Sequence, residues 1–129
     1  MQFKLVALLT LVAASVNGAV LNKRSDPCVC GTTRHYSGVD TQAAINQGRT
    51  GQRFTFGRQE YAHPFHALDP TLHFTKCTAP FLVEFPLVAG GVYAGGHPGL
   101  DRVVYDLSGT FCGCITHTGA VGNGFQHCA

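Results

Sequence analysis

No stretch of this 129-residue sequence gathers lysine and arginine into a run or stripe. Duplex DNA is gripped through many phosphates at once, so that mode of binding is excluded, and any contact with nucleic acid must be local. The one long uncharged, mostly apolar run, Leu5 to Val16, is too short and too close to the start to serve as a membrane span. Neither Cys28-Val29-Cys30 nor Cys112-Gly113-Cys114 has the two-residue gap usual in a zinc-ligand pair. Internal repeats, low-complexity tracts and linkers are also missing, which leaves a single domain.

What is present begins with a secretory pattern. Lys4, the apolar run and the small residues up to Gly18 read as a signal peptide over residues 1–18. Residues 19–24 end in the dibasic pair Lys23-Arg24 and read as a short propeptide, leaving a domain over residues 25–129 that is secreted to the extracellular space. Losing Lys4, Lys23 and Arg24 takes nine basic residues to six against seven acids, so the precursor's net charge of +2 becomes −1. All six cysteines fall in the mature part: Cys28, Cys30, Cys77, Cys112, Cys114 and Cys128. In a small secreted chain an even count points to disulfides before metal, and six cysteines leave fifteen connectivities open.

Along the mature chain, Ser25 to Arg34 reads as a polar, cysteine-bearing entry segment. Ser37 with Asp40 three residues on forms a capping box, which starts a helix whose apolar stripe is Val39, Ala43, Ala44 and Ile45 and which ends at Gly48. Phe54 and Phe56 alternate in what reads as an edge strand, and Tyr61 and His63 fall on one face of a strand. The run Phe81 to Val88 is apolar except for Glu84, a carboxylate whose burial is costly unless it faces a partner or a cleft. Asp106-Leu107-Ser108-Gly109 separates two β-prone runs and reads as a hairpin turn. Arg102 opens the first run and His117 closes the second, so the hairpin brings together a fixed cation and a titratable imidazole, a pairing that suits holding a phosphate and moving a proton. One helix and several short strands predict an α+β fold, one α-helix packed on a central antiparallel β-sheet. His35, His66, His73, His97 and His127 read as solvated or structural imidazoles.

The succession Tyr61-x-His63, Glu84-Phe85-Pro86, Gly99-x-Asp101-Arg102-Val103-Val104, Ile115-Thr116-His117-Thr118-Gly119-Ala120 and Asn123-x-Phe125 resembles the fungal guanyl-specific ribonuclease family, in order and spacing, from about Cys30 to Cys128. The resemblance implies cleavage of single-stranded RNA on the 3′ side of a purine, guanine ahead of adenine, without metal or cofactor. The ribose 2′-hydroxyl attacks phosphorus and leaves a 2′,3′-cyclic phosphate. It implies Glu84 as general base, His117 as general acid, His63 assisting the base, Arg102 and Tyr61 as donors to the phosphoryl oxygens, and Phe125 as an apolar wall. It implies base contacts from the loop His66-Ala67-Leu68-Asp69 and from Asn123. That loop departs from the family's pattern: Leu68 stands in place of a covering aromatic, Asp69 is one carbon shorter than the usual Glu, and Pro70 replaces a common glycine. The resemblance further implies the bridges Cys30–Cys128 and Cys77–Cys112, which leaves Cys28 with Cys114. A monomer acting on RNA, with no DNA or membrane partner, is the expected form. The competing class is a non-catalytic secreted effector that binds RNA or protein on the same scaffold. A binder has no need of the acid–base residues, all of which are present.

Overall fold

Residues 25–66 and 72–129 are described by the computed structural model. The signal peptide and propeptide expected over residues 1–24, and the loop residues Ala67, Leu68, Asp69 and Pro70, lie outside the described residues. Strands and helix follow in the order β1 (Cys28–Cys30), β2 (Arg34–Tyr36), α1 (Gly38–Gly48), β3 (Phe54–Phe56), β4 (Gln59–Tyr61), β5 (His63–Phe65), β6 (Leu82–Pro86), β7 (Asp101–Asp106), β8 (Phe111–Thr116) and β9 (Gln126–His127).

The helix starts where its capping box dictates. Ser37 Oγ accepts from the Asp40 amide at 3.1 Å and Asp40 Oδ2 accepts from the Ser37 amide at 2.9 Å, so two otherwise orphaned donors are satisfied. The buried face is Thr41, Ala44 and Ile45. Val39 was expected on the apolar stripe, but it is 63% exposed. At 3.6 residues per turn it projects away from the face set by positions 41, 44, 45 and 48.

Five strands form the central antiparallel sheet in the order β5-β6-β7-β8-β9. Register determines what each face carries. His63 pairs with Glu84, Glu84 with Val104, and Val104 with Gly113, while Pro86 pairs with Arg102 and Arg102 with Ile115. Paired residues share a face and neighbours along a strand alternate, so His63, Glu84 and Arg102 lie on one side. Phe85, Val103, Tyr105 and Cys114 are buried on the other side, in one core with Ala44 and Ile45 of the helix. The β7–β8 turn is closed by Asp106, whose Oδ1 accepts from the amides of Ser108 and Thr110, both at 2.9 Å.

Two features differ from the sequence reading. The entry segment is a β-hairpin: β1 pairs with β2, and Val29 also exchanges backbone hydrogen bonds of 2.8 and 2.9 Å with the terminal Ala129. Its three-residue strands carry little local signal because distant partners hold them. Tyr61 and His63 do not share a strand, because the chain bends at Ala62 between β4 and β5. Their rings still meet, with centroids 5.0 Å apart. Three bridges, Cys28–Cys114, Cys30–Cys128 and Cys77–Cys112, staple the chain across separations of 86, 98 and 35 residues, each stabilising by ~2–4 kcal/mol.

Gly48, the last helical residue, sits where a Cβ would lie against the Tyr105 hydroxyl and within 3.1 Å of Phe85 Cδ2. Both rings are buried, at 2% and 0% exposure, so neither has room to give way. Alanine ordinarily stabilises a helix interior over glycine by ~1 kcal/mol. Gly48→Ala is expected to do the reverse here, destabilising by about 1–3 kcal/mol through overpacking. A lowered thermal midpoint in the variant is the expected result, and a raised one would show that the helix can move off the sheet.

Candidate active site

A cleft of about 410 Å³ opens on the sheet face away from the helix. Tyr61, His63, Glu84, Arg102, His117, Asn123 and Phe125 all line it. A larger depression of about 710 Å³ lies elsewhere, between helix residues such as Gln42 and Asn46 and the β7–β8 turn. Only the smaller cleft brings a carboxylate, imidazoles and a guanidinium together, which makes it the chemical candidate.

Glu84 reaches the cleft from the middle strand β6 and is 5% exposed. Its Oε1 lies 3.2 Å from His63 Nε2 and 3.9 Å from Arg102 Nε. The other ring nitrogen of His63, Nδ1, lies 2.9 Å from the Pro64 carbonyl oxygen, which can only accept. Both nitrogens therefore face acceptors, an arrangement that favours the protonated ring. The hydrogen bond to Glu84, with help from Pro64 and from the carboxylate's charge, raises the His63 pKa against the opposing effects of desolvation and the Arg102 cation.

Arg102 is 3% exposed, and its two terminal nitrogens are supplied with acceptors. Nη1 donates to the carbonyl oxygens of Gly99 at 2.9 Å, Asp101 at 3.0 Å and Pro98 at 3.3 Å. Nη2 donates to the Tyr61 hydroxyl at 3.2 Å, and the guanidinium carbon lies 5.2 Å from the Tyr61 ring centroid. Nε is buried with no hydrogen-bond partner. Nε and Nη2 form one edge of the guanidinium, the edge through which Arg34 grips Asp101 at 2.6 and 2.9 Å. In Arg102 that edge retains donor capacity, which suits two oxygens of a phosphoryl group.

His117 follows β8 and approaches from the other side. Its Nδ1 donates to the Gly124 carbonyl oxygen at 2.8 Å and its ring stacks on Phe125, with centroids 3.8 Å apart. Nε2 is left as the nitrogen that can exchange a proton with a bound molecule. Of the residues expected to contact the base, Asn123 lines the cleft, whereas His66 lines a separate depression of about 480 Å³ with Leu72 and Phe74. Ala67, Leu68 and Asp69 lie outside the described residues. The cleft also includes Phe56, Gln59, His97 and Leu100, which the sequence reading did not select. The signal available for His97 was the glycine-rich run around it, whereas alternation alone gives Phe56 the same face as the buried Phe54 and does not mark it as exposed.

The Glu84–His63 pair has a measurable titration signature. A pKa raised in the folded state stabilises the protein at pH below the unfolded value of about 6.5, and that contribution is lost as pH rises through the folded value. Glu84→Gln removes the charged acceptor while desolvation continues to oppose the imidazolium. The midpoint of His63 in an NMR titration is therefore expected to fall in the variant, and an unchanged midpoint would show that the carboxylate is not what raises it.

Comparison with known proteins agrees with this geometry. Residues 23–129 match a family model described as ribonuclease. Guanyl-specific ribonuclease U1 of Ustilago sphaerogena is 43% identical over 102 residues, covering 78% of this chain and 92% of the relative. Guanyl-specific ribonuclease F1 of Fusarium fujikuroi is 35% identical over 129 residues, covering 98% and 95%. Among solved structures, the ribonuclease He1 of Hericium erinaceus superposes with a TM-score of 0.62 at 39% identity, over 80% of this chain and 98% of that one. At this identity and coverage, the chain belongs to the fungal guanyl-specific ribonuclease family.

Proposed function

We propose that the mature protein is a secreted, monomeric endoribonuclease that cuts single-stranded RNA 3′ of a purine, with guanine favoured over adenine, and releases a 2′,3′-cyclic phosphate. The observation that carries this reading is the buried Glu84 carboxylate held between His63 at 3.2 Å and Arg102 at 3.9 Å, with His117 lining the same cleft. Guanine is placed ahead of adenine because the relatives are named guanyl-specific. Secretion rests on the amino-terminal pattern of residues 1–24 and on a Gibberella baccata relative named as extracellular.

The roles follow from the chemistry each group can perform. Glu84 takes the proton of the ribose 2′-hydroxyl as its oxygen attacks phosphorus. The Nε/Nη2 edge of Arg102 and the His63 imidazolium face the charge that builds on the phosphoryl oxygens. His117 Nε2 gives its proton to the departing 5′-oxygen, and Phe125 keeps that imidazole in place. Glu84 ends protonated and His117 neutral. Water entering in place of the leaving nucleoside reverses both transfers and opens the cyclic phosphate.

Cleavage of GpC, ApC, UpC and CpC by residues 25–129, in excess chelator and from pH 4 to 8, tests the reading. Purine-selective cleavage to a cyclic phosphate is expected, with a bell-shaped rate profile because one group must be ionised and another protonated. Cleavage of none of the four by folded, fully oxidised protein would favour a non-catalytic binding effector. Glu84→Gln and His117→Ala are each expected to lower turnover by ~10²–10⁴-fold with the fold retained, the range for losing acid–base catalysis. Wild-type rates in both variants would remove the assigned roles.

A further inference from the structure

We propose that Arg34 is a positioning residue for the general acid: from behind the sheet it fixes the chain on both sides of His117, and so sets where His117 Nε2 meets the departing oxygen. This rests on the ribonuclease reading above and extends it to a residue that touches no substrate.

Alternation along a strand places the two neighbours of His117 on the face away from the cleft. Arg34 meets both of them there. Its Nη2 lies 2.7 Å from Thr118 Oγ1 and 3.2 Å from Thr116 Oγ1, and the Thr118 amide donates to Thr116 Oγ1 at 3.0 Å. The same guanidinium grips Asp101 through Nε at 2.6 Å and Nη2 at 2.9 Å, and Asp101 is paired with Thr116 across β7 and β8. One planar fork therefore ties the end of β8, the residue before Arg102 and the amino-terminal hairpin together.

The fork is itself held in place. Arg34 stands opposite Cys30 in the β1–β2 hairpin, and Cys30 is bridged to Cys128. Gly31 has φ of +62°, and a Cβ there would lie 3.2 Å from Arg34 Nη1. A glycine leaves the guanidinium room to lie across the turn.

The other contacts of His117 do a different task. Its ring is held by the Gly124 carbonyl oxygen and the Phe125 face, and its amide by the Leu100 carbonyl oxygen. The ring contacts orient the imidazole against the segment after β8. The threonine contacts hold the backbone that carries it against Asp101, and so against Arg102. The spacing between the proton donor and the guanidinium that faces the phosphoryl oxygens is thus set through Arg34.

The test uses a leaving group that needs no proton. The alkoxide departing from GpC or ApC, whichever the wild type cleaves, must be protonated, whereas 4-nitrophenolate leaves the matching purine nucleoside 3′-(4-nitrophenyl phosphate) unaided. In Arg34→Met, kcat for the dinucleoside phosphate is expected to fall about tenfold with KM unchanged, within the roughly hundredfold that a misplacement of about 1 Å can cost. The 4-nitrophenyl ester should show no comparable loss. Arg34→Lys keeps a charge beside Asp101 but cannot span the carboxylate and both hydroxyls, so it is expected to retain the loss. Thr118→Val removes one hydroxyl and leaves the Arg34–Asp101 pair, and it decides the same question if Arg34→Met does not fold. Equal losses on both substrates, no loss on the dinucleoside phosphate, or a wild-type rate in Arg34→Lys would overturn the positioning role while leaving the ribonuclease reading intact. Wild-type protein that cleaves neither substrate would overturn both.

Discussion

A guanidinium removed from water is the constraint around which the site is built. Isolated burial of such a charge costs several kcal/mol, so the surroundings must supply acceptors. Arg102 obtains them from three consecutive structural decisions. The Pro98–Asp101 segment turns three carbonyl oxygens toward Nη1, β4 presents the Tyr61 hydroxyl to Nη2, and β6 places Glu84 within Coulombic reach of Nε. These groups come from three parts of the chain, so β4, β6 and the loop before β7 are registered to one another through a single side chain. The Tyr61 hydroxyl passes the chain on by donating to Gln59 Oε1 at 3.0 Å.

Directly behind Arg102, on the opposite face of β7, a second pair carries the load. Asp101 is 2% exposed and accepts from Arg34 at 2.6 and 2.9 Å and from the Tyr36 hydroxyl at 2.7 Å. Burial pushes its carboxyl up, but the hydrogen bonds from Arg34, Thr116 and Tyr36 outweigh this and hold it below the usual carboxylate range. Arg34 also donates to the hydroxyls of Thr116, at 3.2 Å, and Thr118, at 2.7 Å, the neighbours of His117 on both sides. The amino-terminal hairpin is thereby fastened behind both Arg102 and His117. The bridges Cys28–Cys114 and Cys30–Cys128 fasten the same hairpin to β8 and to the carboxyl end. Stability and site geometry are coupled here because the hairpin that closes the fold is the one that backs the site.

Much of this is legible in the residues, and the pattern of what is not has a physical cause. The capping box at Ser37 and Asp40, the turn at Asp106–Gly109 and the lone acid in Phe81–Val88 are local signals, each complete within a few residues, and each appears in the structure. The β1–β2 hairpin is illegible because its strands are held by Asp101, Ala129 and two distant cysteines. Continuity of Tyr61 and His63 on one strand fails because alternation says nothing about where a strand bends. The meeting of Phe56 and His97 at the cleft rim is not legible either. They lie 41 residues apart and are brought together by contacts between distant segments, among them the Gly96–Thr55 hydrogen bond and the Phe54–Tyr93 ring pair.

The two imidazoles of the site illustrate how the second nitrogen of a histidine decides what the first can do. Each uses Nδ1 to address a backbone carbonyl oxygen, Pro64 for His63 and Gly124 for His117. That common anchor leaves Nε2 as the working nitrogen in both. Their difference lies in what Nε2 meets. For His63 it is a buried carboxylate at 3.2 Å, whose hydrogen bond raises the ring's pKa and favours its protonated form. For His117 the neighbour is the face of Phe125, which positions the ring without offering an acceptor to Nε2. Among the described residues that nitrogen has no hydrogen-bond partner, which leaves it open to a molecule bound in the cleft. The same side chain is thus paired with a carboxylate in one place and left open to the cleft in the other, and the distinction rests on Glu84 of β6.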